Sequence, residues 1–186
     1  MPGIVGAATK STSPIKRWLQ VYSLPQSVSI VFGRVYEESL NDLIAQSPRY
    51  QAITNSTEKT FITPDGELTN ISKGNKDVDV LFCEGMKIYY REVKCNLLLD
   101  SEKSKATAHK VMEITSRLQK RFPKYEIDAA ILNMDWEGKK NAFHGVRIEY
   151  AGEFISRLDL EDISKQDYLD MGAVLGYHYV EGVNGR

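Results

Sequence analysis

The chain has 186 residues, 42% hydrophobic and 26% charged, with 24 Lys+Arg against 25 Asp+Glu for a formal net charge of −1. That length and apolar content can bury one sizeable core, which predicts a single domain over residues 1–186. A balanced charge argues against a protein that holds nucleic acid by its own electrostatics, and no apolar run reaches the length of a transmembrane helix.

The N-terminus, Met1 to Ala8, is small and apolar with no basic region before it, so no secretory signal is expected and a reducing cytoplasm is the expected compartment. Residues 14 to 22 are read as a first helix. Over residues 28 to 47, Val31, Phe32, Val35, Tyr36, Leu40, Leu43 and Ile44 recur at three- and four-residue spacing, which predicts an amphipathic helix ending at Ser47-Pro48. An extended stretch follows over 49 to 63, and Thr63-Pro64-Asp65-Gly66 fits a β-turn.

Residues 78 to 95 read as a hairpin. Val78-Asp79-Val80-Leu81-Phe82 is β-branched and apolar, Glu84-Gly85 is a turn signal, and Lys87 to Lys94 returns as a strand rich in β-formers. Next, Thr107, Val111, Ile114, Leu118 and Phe122 trace one helical stripe, with Ser101 or Ser104 as N-cap and Pro123 as the stop. Ile127 to Met134 reads as a buried strand, so strand, helix, strand predicts a right-handed parallel crossover. His144 to Tyr150 predicts one more strand, and helices over 151–158 and 160–178 close an α/β plan, a mixed central sheet flanked by helices.

The hairpin carries the chemistry. Asp79 is followed, after twelve residues, by Glu92-Val93-Lys94. Strand side chains alternate with period two, so Glu92 and Lys94 share a face. A turn at Gly85-Met86 sets Asp79 opposite Glu92, and a turn at Glu84-Gly85 sets Asp77 there instead; an odd-numbered loop would send both aspartates to the other face. Two acids and an ammonium gathered at one point can bind a divalent cation and activate a water against a phosphodiester. The triplet recurs at Glu137-Gly138-Lys139, but in a polar tract that reads as a turn.

With Asp79 and Glu92-Val93-Lys94, the chain resembles the PD-(D/E)XK nuclease superfamily, the fold of many restriction endonucleases. The resemblance implies a restriction-endonuclease-like core in which Asp79, Glu92 and the Val93 carbonyl hold Mg²⁺ while Lys94 orients or deprotonates the attacking water. It departs from the family pattern in one respect: no proline precedes Asp79. Gly33, Tyr36 and Glu37 look like the glycine and aromatic-glutamate pair that many members carry on the helix before the sheet, which makes Glu37 a further metal-site residue; Glu38 lies at a similar angle on the other side of the apolar stripe. Within the superfamily, the short chain and this spacing are similar to the small cleavage subunits of heterodimeric type IIS restriction endonucleases. That implies duplex DNA as substrate and a larger DNA-recognising subunit as partner. A homodimeric type II or repair nuclease, and a non-catalytic adaptor, are the rival readings.

Other residues read more plainly. His109 reads as a solvated helix histidine, and His144 and His178 are too far apart in sequence to point to a ligand cluster. Cys83 and Cys95 form no CxxC, and no G-x-S-x-G, GxxxxGK[ST] or strand-borne GxGxxG occurs, which lowers zinc, serine-hydrolase, ATPase and dinucleotide readings. Lys103, Lys105, Lys110, Arg117, Lys120, Arg121 and Lys124 bias the central helix basic, as a DNA-facing or a solvated face. The aromatic C-terminal segment around Tyr168 and Met171 reads as a helix packed on the sheet, with an oligomer interface as the alternative.

Overall fold

Tyr36, Leu40 and Ile44, four residues apart, form the buried stripe of helix α1, Gln26–Gln46, in a computed structural model that describes residues 26–52, 60–62, 68–70, 78–95, 97, 101–160 and 163–170. The helix stops where Pro48 bars continuation. The Ser47 hydroxyl there donates to the Leu158 carbonyl at 2.5 Å, tying the helix end to a distant loop. The helix expected at 14–22, the Pro64-Asp65 turn, Asp77, His178 and the segment from Met171 onward lie outside the described residues.

Beyond α1 come β1 (Gln51–Ala52), β2 (Thr60–Ile62), β3 (Leu68–Asn70), β4 (Val80–Glu84), β5 (Lys87–Lys94), α2 (Ser101–Arg121), β6 (Glu126–Asn133), β7 (Ala142–Phe143), β8 (Val146–Tyr150) and α3 (Ala151–Arg157). The central sheet runs β1-β4-β5-β6-β8-β7, while β2 and β3 pair as a separate ribbon. β4 and β5 are antiparallel, β5, β6 and β8 are parallel, and β1 and β7 are antiparallel edges. The chain is therefore α/β with a mixed open sheet flanked by helices, as its sequence predicts.

Alternation along β5 divides the core. Ile88 and Tyr90 face α2, packing with Ala108, Val111, Ile114 and Leu118; Tyr89 and Val93 face the opposite side, with Tyr36, Leu40 and Ile44 of α1 and Phe154 and Ile155 of α3. Arg91 points to the α1 side too, where it is wholly buried and ion-paired with equally buried Glu149 and with Asp128. Arg157 closes on Glu149 at 2.5 Å and Arg147 on Asp128 at 2.6 Å, so each buried charge has an opposite partner.

The structure corrects the strand expected at His144 and the start of the helix expected over 160–178, and it chooses between the two serines offered for the start of α2. His144 lies in a turn rather than a strand: its φ of 47° and that of Gly145, 83°, suit the two-residue loop that joins β7 to β8, so residues 142–143 supply a strand that the polar tract concealed. Helix α2 starts at Ser101, a turn before Ser104, which is buried inside it. Near the C-terminus, residues 165–170 are helical, with Tyr168 buried and its hydroxyl donating to Met134 O at 2.8 Å, whereas Leu160, Ile163 and Ser164 are not helical.

Candidate active site

Hairpin geometry comes first. Glu84 pairs with Lys87 across a two-residue loop, Gly85-Met86, and Gly85 takes φ 54°, a conformation glycine reaches without Cβ strain. The ladder runs to Val80 opposite Arg91, so the next position out sets Asp79 against Glu92. Both carboxylates thereby reach the α2 side of the sheet, where parallel β5 and β6 end, the usual place for a ligand in an open α/β sheet.

Asp79 sits just before the start of β4, and its side chain continues the ladder: Oδ2 accepts the Val93 N–H at 2.8 Å. Glu92 is 1% exposed, and a buried carboxylate needs partners. It has three. Lys94 Nζ lies 2.6 Å from Oε1, Lys110 Nζ 2.6 Å from Oε2, and the Tyr90 hydroxyl donates to Oε2 at 2.8 Å. Lys110 also reaches Asp79 Oδ1 at 3.2 Å, bridging the two acids, while Lys94 Nζ lies 3.1 Å from the Val93 carbonyl.

Glu37 belongs to the same field. On α1, Tyr36 points into the core, Glu37 is half-buried and Glu38 is exposed, so of the two glutamates it is Glu37 that is withdrawn from solvent. Burial, reinforced by the charges of Asp79 and Glu92 and opposed by Lys110 and Lys94, pushes the Glu37 carboxyl up to about 7. Asp79 is also raised, first by burial and then by Glu92, because it has a single ammonium contact. Glu92 is buried as well, yet Lys94 and Lys110 together outweigh that and hold it below its ordinary range. Lys110 loses some basicity to burial and regains more from Asp79 and Glu92, so it remains an ammonium.

Among the described residues, no three His, Cys, Asp or Glu side chains converge closely enough to form a metal cage. The donors gathered at one point are two carboxylates and the Val93 carbonyl, with Glu37 acting on them through its charge. That set suits a hard cation that keeps several of its waters, and the bridging ammonium of Lys110 shows that the junction accepts positive charge.

The remaining candidates fall elsewhere. Glu137 is 72% exposed and pairs with Lys165, and Lys139 lies in the same exposed loop, away from the acids. His109 is on the solvent side of α2, 3.8 Å from Glu113. Of the basic residues of α2, Lys105 and Lys120 are exposed, whereas Lys110 turns inward. Lys110 and Tyr90 are site residues that sequence reasoning missed. Tyr90 was discoverable, since it shares the period-two face of Glu92; Lys110 gave only a weak signal, its position beside Val111 at the flank of the apolar stripe. Cys83 and Cys95 are unbridged, and burial raises both thiols to about 11, which leaves them protonated at neutral pH. No helix among the described residues is long and apolar enough to cross a membrane. No protein-family model matches the chain, and no curated protein or solved structure shows significant similarity to it.

Proposed function

We propose that this chain is a Mg²⁺-dependent endodeoxyribonuclease of the restriction-endonuclease-like class, the catalytic small subunit that cuts one strand of duplex DNA beside a larger recognition subunit. The observation that carries the reading is the convergence of Asp79, Glu92, the Val93 carbonyl and Lys94 at the end of one central strand, produced by the two-residue loop of the hairpin. An odd-numbered loop, which would have favoured a non-catalytic adaptor, would have parted the acids. The order helix, antiparallel strands, crossover helix, parallel strand agrees with the same class.

In this reading Asp79 and Glu92, with the Val93 carbonyl, hold Mg²⁺, and Glu37 assists directly or through water. The bound ion supplies charge neutralisation at the phosphate and lowers the pKa of a coordinated water. Lys94 is the residue placed to orient that water, since its Nζ stands between Glu92 and the Val93 carbonyl. Tyr90 fixes the Glu92 carboxylate from below, and the Val93 N–H fixes Asp79. A net charge of −1 supplies little phosphate affinity, which favours delegating target search to a partner. Two unbridged thiols agree with a reducing cytoplasm.

The test is nicking of a supercoiled plasmid with Mg²⁺, wild type against Lys94→Ala, each alone and mixed with a candidate large subunit from the same host. Cleavage that needs both Lys94 and the partner is the expected result. Cleavage by the chain alone would point to a homodimeric enzyme, and activity that survives Lys94→Ala would refute the assignment of the site.

A further inference from the structure

Each oxygen of a carboxylate offers about two lone-pair positions. Glu92 Oε2 has both engaged, one by the Tyr90 hydroxyl at 2.8 Å and one by Lys110 Nζ at 2.6 Å. Glu92 Oε1 has a single contact, from Lys94. Asp79 Oδ2 is engaged by the Val93 N–H, which leaves Oδ1 as the oxygen that shares the Lys110 ammonium with Glu92 Oε2. A cation joining the two acids through their facing oxygens would therefore use Asp79 Oδ1 and Glu92 Oε2, the pair that Lys110 already bridges.

We infer that Lys110 is the resident counter-cation of this centre: it occupies the bridging position in the metal-free protein and has to be displaced for a divalent ion to bind. This rests on the metal-site reading above and adds a competitor to it. Of the two donors on Oε2, Tyr90 is wholly buried in the sheet–helix core and has no room to withdraw, whereas Lys110 is 22% exposed on the flank of α2 and can swing its four-carbon stem outward. An ammonium and a divalent ion on the same two oxygens would also repel each other at short range. Lys94 shares only the neutral Val93 carbonyl, at 3.1 Å, with the ion and keeps its 2.6 Å pair with Glu92 Oε1, so it can remain beside a bound ion.

Displacement has two consequences. Without metal, Lys110 holds the two carboxylates together, so the centre is assembled before an ion arrives. On loading, an ammonium is released on the side of α2 that borders the site, next to where a phosphodiester bound to the ion would lie. Lys110 is thus a positioning residue whose place changes with the state of the centre.

Calorimetric titration of Ca²⁺ into the full chain at pH 8 tests this by binding alone, with wild type, Lys110→Met, Lys110→Gln, Lys94→Met, Lys105→Met and Asp79→Asn compared, and circular dichroism confirming that each is folded. The Lys110 variants are expected to bind Ca²⁺ about tenfold more tightly than wild type, because the ion no longer displaces two charge-assisted contacts. The exposed Lys105→Met should change affinity by less than about threefold, Lys94→Met should tighten binding less than either Lys110 variant because Lys94 bridges no pair of carboxylates, and Asp79→Asn should abolish binding. Unchanged or weaker binding in both Lys110 variants, with wild type still binding through Asp79, would overturn the competition and leave the metal site standing. Tightening by Lys94→Met in place of Lys110→Met would overturn it too. No Ca²⁺ binding by wild type or by any Lys110 variant would instead refute the metal-site reading, and the inference with it.

Discussion

Glu37→Gln probes the charge of the centre most directly. An ordinary glutamate carboxyl titrates near 4.5, while burial and then the charges of Asp79 and Glu92 raise Glu37 to about 7. The folded state therefore holds a proton there that the unfolded state has released, so folding stability falls as pH rises from about 4.5 to about 7 and stays reduced above it. Without solvent screening, a shift of that size corresponds to about 3 kcal/mol. Glu37 is partly solvent-exposed, so screening reduces the usable figure to about 1 kcal/mol. Glutamine keeps the shape and removes the ionisation. Urea denaturation in EDTA should find Glu37→Gln and wild type equally stable near pH 4.5, with the variant more stable by about 1 kcal/mol at pH 8. Saturating Ca²⁺ should shrink that gain, since an ion neutralises the field that burdens Glu37. A difference that stays flat with pH, or a variant less stable at pH 8, would show that Glu37 does not share the field of Asp79 and Glu92.

Lys94→Ala is a cleaner catalytic probe than Glu92→Ala, because Lys94 is 27% exposed and Glu92 is buried between two ammonium groups; its unfolding midpoint should stay close to wild type while nicking with the partner falls at least a hundredfold. Arg91→Met strands the buried Glu149 with Arg157 alone and should cost about 3 kcal/mol or more in urea denaturation, while the double substitution Arg91→Met/Glu149→Leu should recover part of that loss; no recovery would mean that Arg91 is held by packing on Phe82 and Tyr89 rather than by its ion pair. Gly85→Val should destabilise the hairpin by about 1–2 kcal/mol, since a β-branched residue is disfavoured at φ 54°, with thermal unfolding as the measure. Glu137→Ala should leave nicking and stability unchanged, its only described contact being an exposed pair with Lys165, and a loss of nicking would move the active site.

The sequence by itself determined the elements whose cause is local. Apolar spacing of three and four marked α1 and α2, prolines 48 and 123 marked their ends, and β-branched runs about Gly85 marked the hairpin. Period two placed Glu92 and Lys94 together, and parity left Asp79 or Asp77 as the opposing acid. Which aspartate it was depended on a one-residue choice of turn, and Gly85-Met86 with Asp79 is the solution in the structure. The β7–β8 hairpin was hidden because two-residue β7 is too short to show a period. Tertiary structure alone decided that Glu37 rather than Glu38 shares the field of the acids, since the two lie at nearly equal angles from the stripe and only the position of α1 against the sheet separates them. It alone chose Lys110 from seven basic residues on and just after α2. A lysine at the edge of a helical stripe is solvated or inward according to what lies across from it, and here that is the end of β5, where two buried carboxylates need a cation.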